Sequence, residues 1–201
     1  MSYSDELCQL VIRNMEIIEE APSVVEQVEE KLFTAINERI KERIGVSEGW
    51  VGTYEFYTGK KDQTTFAVKD WPVDGDGALL TYFTLHHVEA GEEYSWLSNA
   101  IGFHGSALCL QFMVKPDFTG LNAKEYKKRL HDFYSNTSAL AEAGFLVAKN
   151  GTIYRPFAFD AAKVAEEYPD FDEVLAPLDA AMNDVVRTHK AFDGFVRTFS
   201  K

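Results

Sequence analysis

The sequence predicts an α+β fold, in which a largely antiparallel sheet of about six strands packs with N- and C-terminal helices in a single domain over residues 1–201. Hydrophobic spacing is the first reason. Apolar residues recur at helical spacing in residues 1–44 and 160–199, whereas most of residues 48–159 alternate with a period of two. The second reason is that short turns join the strand segments, which indicates hairpins instead of parallel crossovers.

The N-terminal region, residues 1–44, predicts two helices. Ser4 is a suitable N-cap for the first, and we expect Ala21-Pro22 to end it because proline lacks the N–H that a helix interior needs. Gly45 is placed to end the second. Each helix has one apolar face for burial and one charged face for water. The apolar positions are Leu7, Leu10, Val11, Ile17 and Ile18, followed by Val25, Val28, Leu32, Ile36, Ile40 and Ile44.

Strands follow from about residue 48 to residue 116. A hairpin is expected around residues 59–62, and Asp74-Gly75-Asp76-Gly77 predicts a tight turn. Two of the strands are apolar on both faces, so we expect them at the centre of the sheet with layers on both sides. The predicted strands are residues 50–58, 64–71, 78–88 and 107–114, and residues 95–105 could hold another.

A helix inserted in the sheet region is predicted over residues 122–143, with Asn122 as its N-cap and Gly144 as its end. A second hairpin follows around Asn150-Gly151, a pair that type I′ turns favour. Pro156 lies in its second strand and cannot donate to a ladder, so we expect that strand at a sheet edge.

The C-terminal helix, predicted over residues 172–199, carries a heptad seam. Two interpretations remain open: the seam packs across the sheet or the N-terminal helices, or residues 175–199 form a homodimer seam. The seam consists of Leu175, Leu178, Met182, Val185, His189, Phe192, Val196 and Phe199.

The charge balance limits the classes of partner. With 32 acidic and 20 basic residues, the net charge is −12, which argues against direct binding to nucleic acid or to anionic membranes. No apolar run is long enough for a membrane span, and the N-terminus carries acids where a secretory signal would carry bases. Cys8 and Cys109 are far apart, so we interpret them as two buried thiols of a cytoplasmic protein.

Motifs for chemistry are incomplete. The tract from Gly52 to Lys61 lacks the spacing of a phosphate-binding loop, and His87-Val88-Glu89 lacks the cysteine pair of zinc deaminases. Ala67 stands where a metal-dependent nuclease needs a carboxylate. We therefore expect no cofactor and no bound metal.

Histidines and one arginine remain as candidates for a ligand site. His86 and His87 are adjacent on a strand and should point to opposite faces, so one metal could not bind both. Arg155 lies on an otherwise apolar strand face and needs an anion, either an internal acid or a ligand.

The leading hypothesis is a non-enzymatic, acidic interaction protein, of the accessory, inhibitor or immunity type, that binds a protein partner of basic character. Its expected contact surfaces are the aromatic hairpin at Tyr54, Phe56 and Tyr57 and the terminal helix, including His189 and Phe199. One alternative is an enzyme or small-ligand binder with a pocket near His86, His104 and Arg155. A further alternative is an acidic mimic of DNA.

Overall fold

The computed structural model describes residues 3–45, 49–58, 63–88 and 94–199. Within them the chain forms eight α-helices and a six-stranded antiparallel sheet, with helices near both ends, so the predicted α+β class is confirmed. The helices are α1 (Asp5–Arg13), α2 (Met15–Gly45), α3 (Trp96–Ala100), α4 (Pro116–Thr119), α5 (Ala123–Ser135), α6 (Ser138–Glu142), α7 (Ala161–Glu167) and α8 (Ala176–Arg197). The strands are β1 (Trp50–Tyr54), β2 (Thr64–Val68), β3 (Thr81–His87), β4 (Leu108–Val114), β5 (Leu146–Val147) and β6 (Ile153–Phe157).

The sheet has the strand order β1-β2-β3-β4-β6-β5, and α2 and α8 pack on one of its faces. The ring of Phe192 on α8 lies 5.0 Å from that of Phe83 in β3 and 4.6 Å from that of Phe112 in β4. On the α2 side, the ring of Phe33 lies 4.9 Å from that of Phe56. The hydrophobic core therefore sits between one sheet face and the two long helices.

The other face of the sheet, which we call the open face, is half-exposed. The expectation of layers on both sides of β3 and β4 is therefore wrong. The side chains of the open face combine apolar atoms with a polar or polarisable group. They therefore resemble core residues in the sequence and still tolerate contact with water. They include Tyr82, Thr84 and His86 of β3, Gln111 and Met113 of β4, and Tyr154 of β6.

The seam of α8 is buried inside the chain. Leu178, Met182, Val185 and Phe192 expose none of their surface, so the chain itself covers the seam at these positions and gives no support to the homodimer through residues 175–199. The packing interpretation of the seam is confirmed.

Ion pairs fix α8 against α2. Asp179 accepts hydrogen bonds from Arg39 at 2.8 Å and from Arg43 at 3.0 Å, and the pairing with Asp179 raises the pKa of the Arg43 guanidinium. Arg39 also pairs with Asp172 at 3.4 Å. Since Asp179 is mostly buried, these bonds set the position of α8 along α2.

Two predicted helix boundaries need correction. The first bend falls at Asn14, whose side-chain amide donates to the Leu10 carbonyl at 2.7 Å, and α2 runs uninterrupted through Pro22. The helix around Pro22 is largely exposed, so water can satisfy the carbonyl that loses its N–H partner. The predicted helix over 122–143 is two helices, because Thr137 leaves the helical conformation and its hydroxyl donates to the Phe133 carbonyl at 2.8 Å.

Residues 95–105 are not a strand. Ser95 caps α3 by accepting a hydrogen bond from the Ser98 amide at 3.1 Å, and a short 3₁₀ turn follows at Phe103–Gly105. Gly102 and Gly105 at this turn both have left-handed backbone conformations.

Pro156 does not lie in an edge strand. β6 runs between β4 and β5, and β5 is the edge of the sheet. The proline is tolerated because β5 pairs only with Ile153 and Tyr154, so its ladder ends before Pro156.

The local signals at caps and turns are confirmed. Asn122 and Glu125 form a reciprocal capping box at α5, and the Asp74 carboxylate accepts hydrogen bonds from the Asp76 and Ala78 amides. β5 and β6 pair around the turn at Asn150-Gly151. β1 and β2 pair as predicted, while the turn expected at residues 59–62 lies outside the described residues.

Candidate functional site

The aromatic residues of the predicted contact hairpin face inward. Phe56 is buried, and the ring of Tyr57 stacks on Phe33 at 5.5 Å. Tyr54 is half-buried, and this burial raises the pKa of its hydroxyl. These rings therefore fill the space between the hairpin and α2, and a contact surface formed by them stays a prediction.

Glu29 of α2 explains the inward position of Tyr57. Its carboxylate is buried and accepts hydrogen bonds from the Tyr57 hydroxyl and the Leu97 amide, both at 2.6 Å. One buried acid therefore joins α2, the chain after β1 and the N-terminus of α3, and its charge is satisfied by two donors.

The two candidates on the terminal helix region also have internal partners. His189 Nδ1 donates to the Val186 carbonyl at 2.5 Å, and its ring lies edge-on to Trp50 at 6.0 Å. Phe199 is half-buried against Phe195, with the Arg129 guanidinium 4.6 Å from the centre of its ring. Both side chains therefore pack against other residues of the same chain.

His86, His104 and Arg155 do not share one pocket. Arg155 lies on the helix-covered face, where its Nε donates to Asp184 of α8 at 3.0 Å, so the internal ion pair is confirmed. His104 lies in the 3₁₀ turn with its ring 4.1 Å from that of Phe103. His86 alone of the three lines the cleft described below.

This cleft, which we call the open-face groove, has a volume of about 580 Å³ and crosses the open face between the end of β3 and the β5–β6 turn. Cys109, Gln111 and Tyr154 come from β4 and β6; Cys109 pairs with His86, and Gln111 pairs with Tyr154. The other lining residues are His87, Val88, Val147, Ala148, Lys149, Asn150 and Thr152.

The two adjacent histidines come together at one end of the groove. Their rings stack at 4.7 Å, and the ring of Trp96 lies 4.9 Å from that of His87. The expectation that they point to opposite faces is therefore wrong, because both lie at the last residues of β3, where the strand ends. Among the described residues, no group of three or more metal-ligating side chains could hold an ion.

Of the two thiols expected to be buried, only Cys109 is buried. Cys109 is buried in the floor of the groove, and burial raises the pKa of its thiol to about 12. It therefore stays protonated at neutral pH and is a poor nucleophile. Cys8, which we expected to be buried, is exposed on α1.

The second candidate site is the N-terminal arm, which we define as residues 3–24. Nine of the fourteen exposed large hydrophobic side chains of the described chain lie there, and α1 has no buried residue. The most exposed are Tyr3 at 76%, Ile12 at 71%, Ile17 at 68% and Leu10 at 58%. The remaining five are Leu7, Val11, Met15, Ile18 and Val24.

Part of the arm's apolar surface continues the side of α2 that is buried in the core. Leu32, Ile36, Ile40 and Ile44 are buried at helical spacing, and Met15 and Ile18 lie on the same side of the helix, whereas Ile17 and Val24 lie on another side. The apolar face that the sequence predicts for the first helix therefore exists, but nothing in the described chain covers it.

Sequence reasoning did not select Gln111, Lys149 and Tyr154, which join His86 in the groove. A signal was present: polar and amphipathic residues alternate with buried ones along β3 and β4, which is typical of a sheet with one open face.

No protein-family model, no curated protein and no solved structure matches this chain in the comparisons with known proteins. Among the helices that the structure describes, none has the length and apolar character that crossing a membrane requires.

Proposed function

We propose that the protein is a non-enzymatic binding protein that docks its N-terminal arm into an apolar groove of another protein. The exposed stripe of the arm carries this proposal. Contiguous apolar surface of this kind is uncommon on a monomer that stays alone, and it marks interaction surfaces.

The negative charge of the arm indicates which kind of partner it binds. The arm and the next turn of α2 hold one base, Arg13, against six acids: Asp5, Glu6, Glu16, Glu19, Glu20 and Glu26. Two arms packed on each other would bring these acids together, and an anionic membrane would repel them. We therefore expect a partner groove with an apolar floor and a rim of lysine or arginine, which agrees with the basic partner that the composition favours.

The number of apolar side chains in the stripe determines how much each one contributes to the free energy of binding. Complete burial of one aliphatic side chain contributes about 1.5–3 kcal/mol, and association costs about 4–15 kcal/mol before any contact is counted. The burial of four to five such side chains therefore only just exceeds the cost of association. Loss of two of them should weaken binding by about a hundredfold or more.

We place this activity in a reducing compartment, the cytoplasm. Cys8 is an exposed free thiol on the arm, and such a thiol would oxidise or cross-link in a secreted protein.

The test compares three full-length chains as bait in extracts of the native host. The arm variant is Leu10→Glu with Ile17→Glu, and the control is Val51→Glu with Leu146→Glu, which places the same two charges at exposed apolar positions of the body. A protein captured by the wild type is then purified, and its affinity for each chain is measured by calorimetry at low and high salt. Hydrogen exchange of the complex maps both contact surfaces.

The proposal predicts direct binding that weakens with salt, that the arm variant loses and that the control retains. The partner's protected surface should be apolar with a basic rim. Equal affinity of the arm variant overturns the proposal. So does an arm-dependent doubling of the wild-type mass in light scattering, or binding of the wild type to anionic vesicles, because the arm then serves a second copy or a membrane.

A further inference from the structure

The open-face groove differs from the rest of this acidic protein in its chemistry. None of its eleven lining residues is a carboxylate, although the chain has 32 acids. Its polar groups are one ammonium, two imidazoles, two side-chain amides, two hydroxyls and one thiol. Such a lining suits a polar ligand with negative charge.

The positive end of the groove is Lys149, in the turn between β5 and β6. The turn is fixed by hydrogen bonds from the Ala148 amide to the Thr152 carbonyl at 2.8 Å and from the Thr152 amide to the Asn150 side chain at 3.0 Å. Lys149 is exposed and makes no ion pair with any residue that the structure describes. Its three donors are therefore available to an anion.

The opposite end presents an acceptor. His86 Nδ1 lies 3.0 Å from the His87 carbonyl oxygen, and a carbonyl can only accept, so Nδ1 carries the proton. In the neutral ring Nε2 is then an acceptor, which suits an N–H or O–H donor on a ligand.

The register gives the distance between these ends. His86 lies opposite Cys109, and Thr152, two residues before Tyr154, falls level with Met113. Four residues of β4 separate those two levels, about 13 Å along the strands, and the two strand spacings from β3 to β6 add about 10 Å across the sheet. The backbone positions of His86 and Thr152, next to the turn that holds Lys149, are therefore about 16 Å apart. On the floor, the Gln111 amide has a weak acceptor as its partner, the Met113 sulfur at 3.0 Å, so it can also bond to a ligand.

We propose that the open-face groove binds an elongated small molecule that has a hydrogen-bond donor at one end and a phosphate or carboxylate at the other. Lys149 binds the anion, His86 accepts from the donor, and Gln111 bonds to the middle of the molecule. The thiol of Cys109 forms a neutral part of the floor.

The probes are adenosine 5′-monophosphate and triglycine, which both place an amine several ångströms from an anion. Binding to the ¹⁵N-labelled full-length chain is followed by NMR, using the amides of residues 86–88 and 149–152 and the indole of Trp96. Adenosine and inorganic phosphate, each at the same concentration, supply one end only.

At least one two-ended probe should shift both groups of resonances in a saturable way below about 10 mM, and more strongly than either one-ended probe. Response to the nucleotide alone identifies phosphate as the anion, and response to the peptide alone identifies carboxylate. Lys149→Gln should weaken binding about fivefold, and His86→Phe should abolish the shifts at residues 86–88. Lys124→Gln, which removes an exposed charge on α5, is the matched control and should change nothing.

Two results overturn the proposal. One is the absence of saturable shifts in the groove with both two-ended probes at about 10 mM. The other is an equal loss of affinity in Lys149→Gln and Lys124→Gln, which would mean diffuse attraction to surface charge. The arm variant Leu10→Glu with Ile17→Glu should bind the probes normally, so failure at the arm and failure at the groove are separate outcomes.

Discussion

At the scale of single residues, the two cysteines test the structure most directly. Cys109 is buried and burial raises the pKa of its thiol from 9.0 to about 12, while Cys8 is exposed on the arm. We predict that a disulfide reagent such as DTNB modifies Cys8 rapidly in the native protein at pH 8, and Cys109 only after urea is added. The Cys8→Ser variant should show no rapid reaction, and a rapid reaction in that variant contradicts the buried position of Cys109.

The same thiol gives the protein a pH dependence with a defined sign. The folded-state pKa of Cys109 lies above its value in the unfolded chain, so folding favours the neutral thiol. Its contribution is complete below about pH 9 and declines as the pH rises toward 12. Tyr126, whose pKa burial also raises to about 12, acts in the same direction. Urea unfolding should therefore show a smaller loss of stability between pH 8 and pH 10 in Cys109→Ala than in the wild type, and an equal loss counts against the assignment.

Residue-level reasoning from sequence succeeded where a side chain has one physical need. An arginine on an apolar strand face needs an anion, and Arg155 has one in Asp184. It failed for the pair His86 and His87, because strict alternation holds inside a strand and these two lie at its end, where their rings can stack.

At the scale of elements, α8 is the centre of the core. The ring of Phe192 contacts four other phenylalanine rings, at 4.6 Å from Phe112, 5.0 Å from Phe83, 5.5 Å from Phe145 and 5.6 Å from Phe133. We predict that Phe192→Ala lowers the free energy of unfolding by about 3–5 kcal/mol, measured by urea denaturation, because it leaves a cavity in this cluster. The mass in light scattering should stay unchanged.

The neighbouring Lys190→Ala is the control for that substitution, since Lys190 is exposed on the same helix and should change stability little. Phe192→Ala with unaltered stability and an altered mass would mean that the seam of α8 contacts a second copy after all.

Element types were largely predictable, and their surroundings were not. The heptad spacing of α8, the cap at Asn122 and the turn at Asp74 depend on local physics, and the structure has all three. A stripe of apolar residues, however, predicts that the stripe is buried and does not indicate which element or molecule covers it. The seam of α8 is covered by the sheet, whereas the stripe of the arm is exposed. Likewise, Tyr82 and Met113 make β3 and β4 look buried on both faces, although within the described residues both side chains are only half-buried on the open face.

At the scale of the whole molecule, the described chain divides into a body with a continuous core and an arm without one. Every buried side chain of α2 lies from Glu29 onward, and α1 has no buried side chain. Isolated helices of this length are marginal in water, so the helix of the arm depends on the buried part of α2 for its nucleus. The same division separates the two proposed sites, since the open-face groove belongs wholly to the body.

Hydrogen exchange of the free protein measures this division. We predict that amides of residues 5–24 exchange at rates close to those of a fraying helix, whereas residues 32–44, whose apolar side chains are buried in the core, exchange only through global unfolding. Phe192→Ala should accelerate exchange at residues 32–44 and leave the arm unchanged, because only the body shares the core. Protection of the arm equal to that of residues 32–44 in dilute, monomeric protein contradicts the exposed position of the arm. Protection that increases with protein concentration shows instead that a second copy covers the stripe, which removes the reason to expect a basic partner.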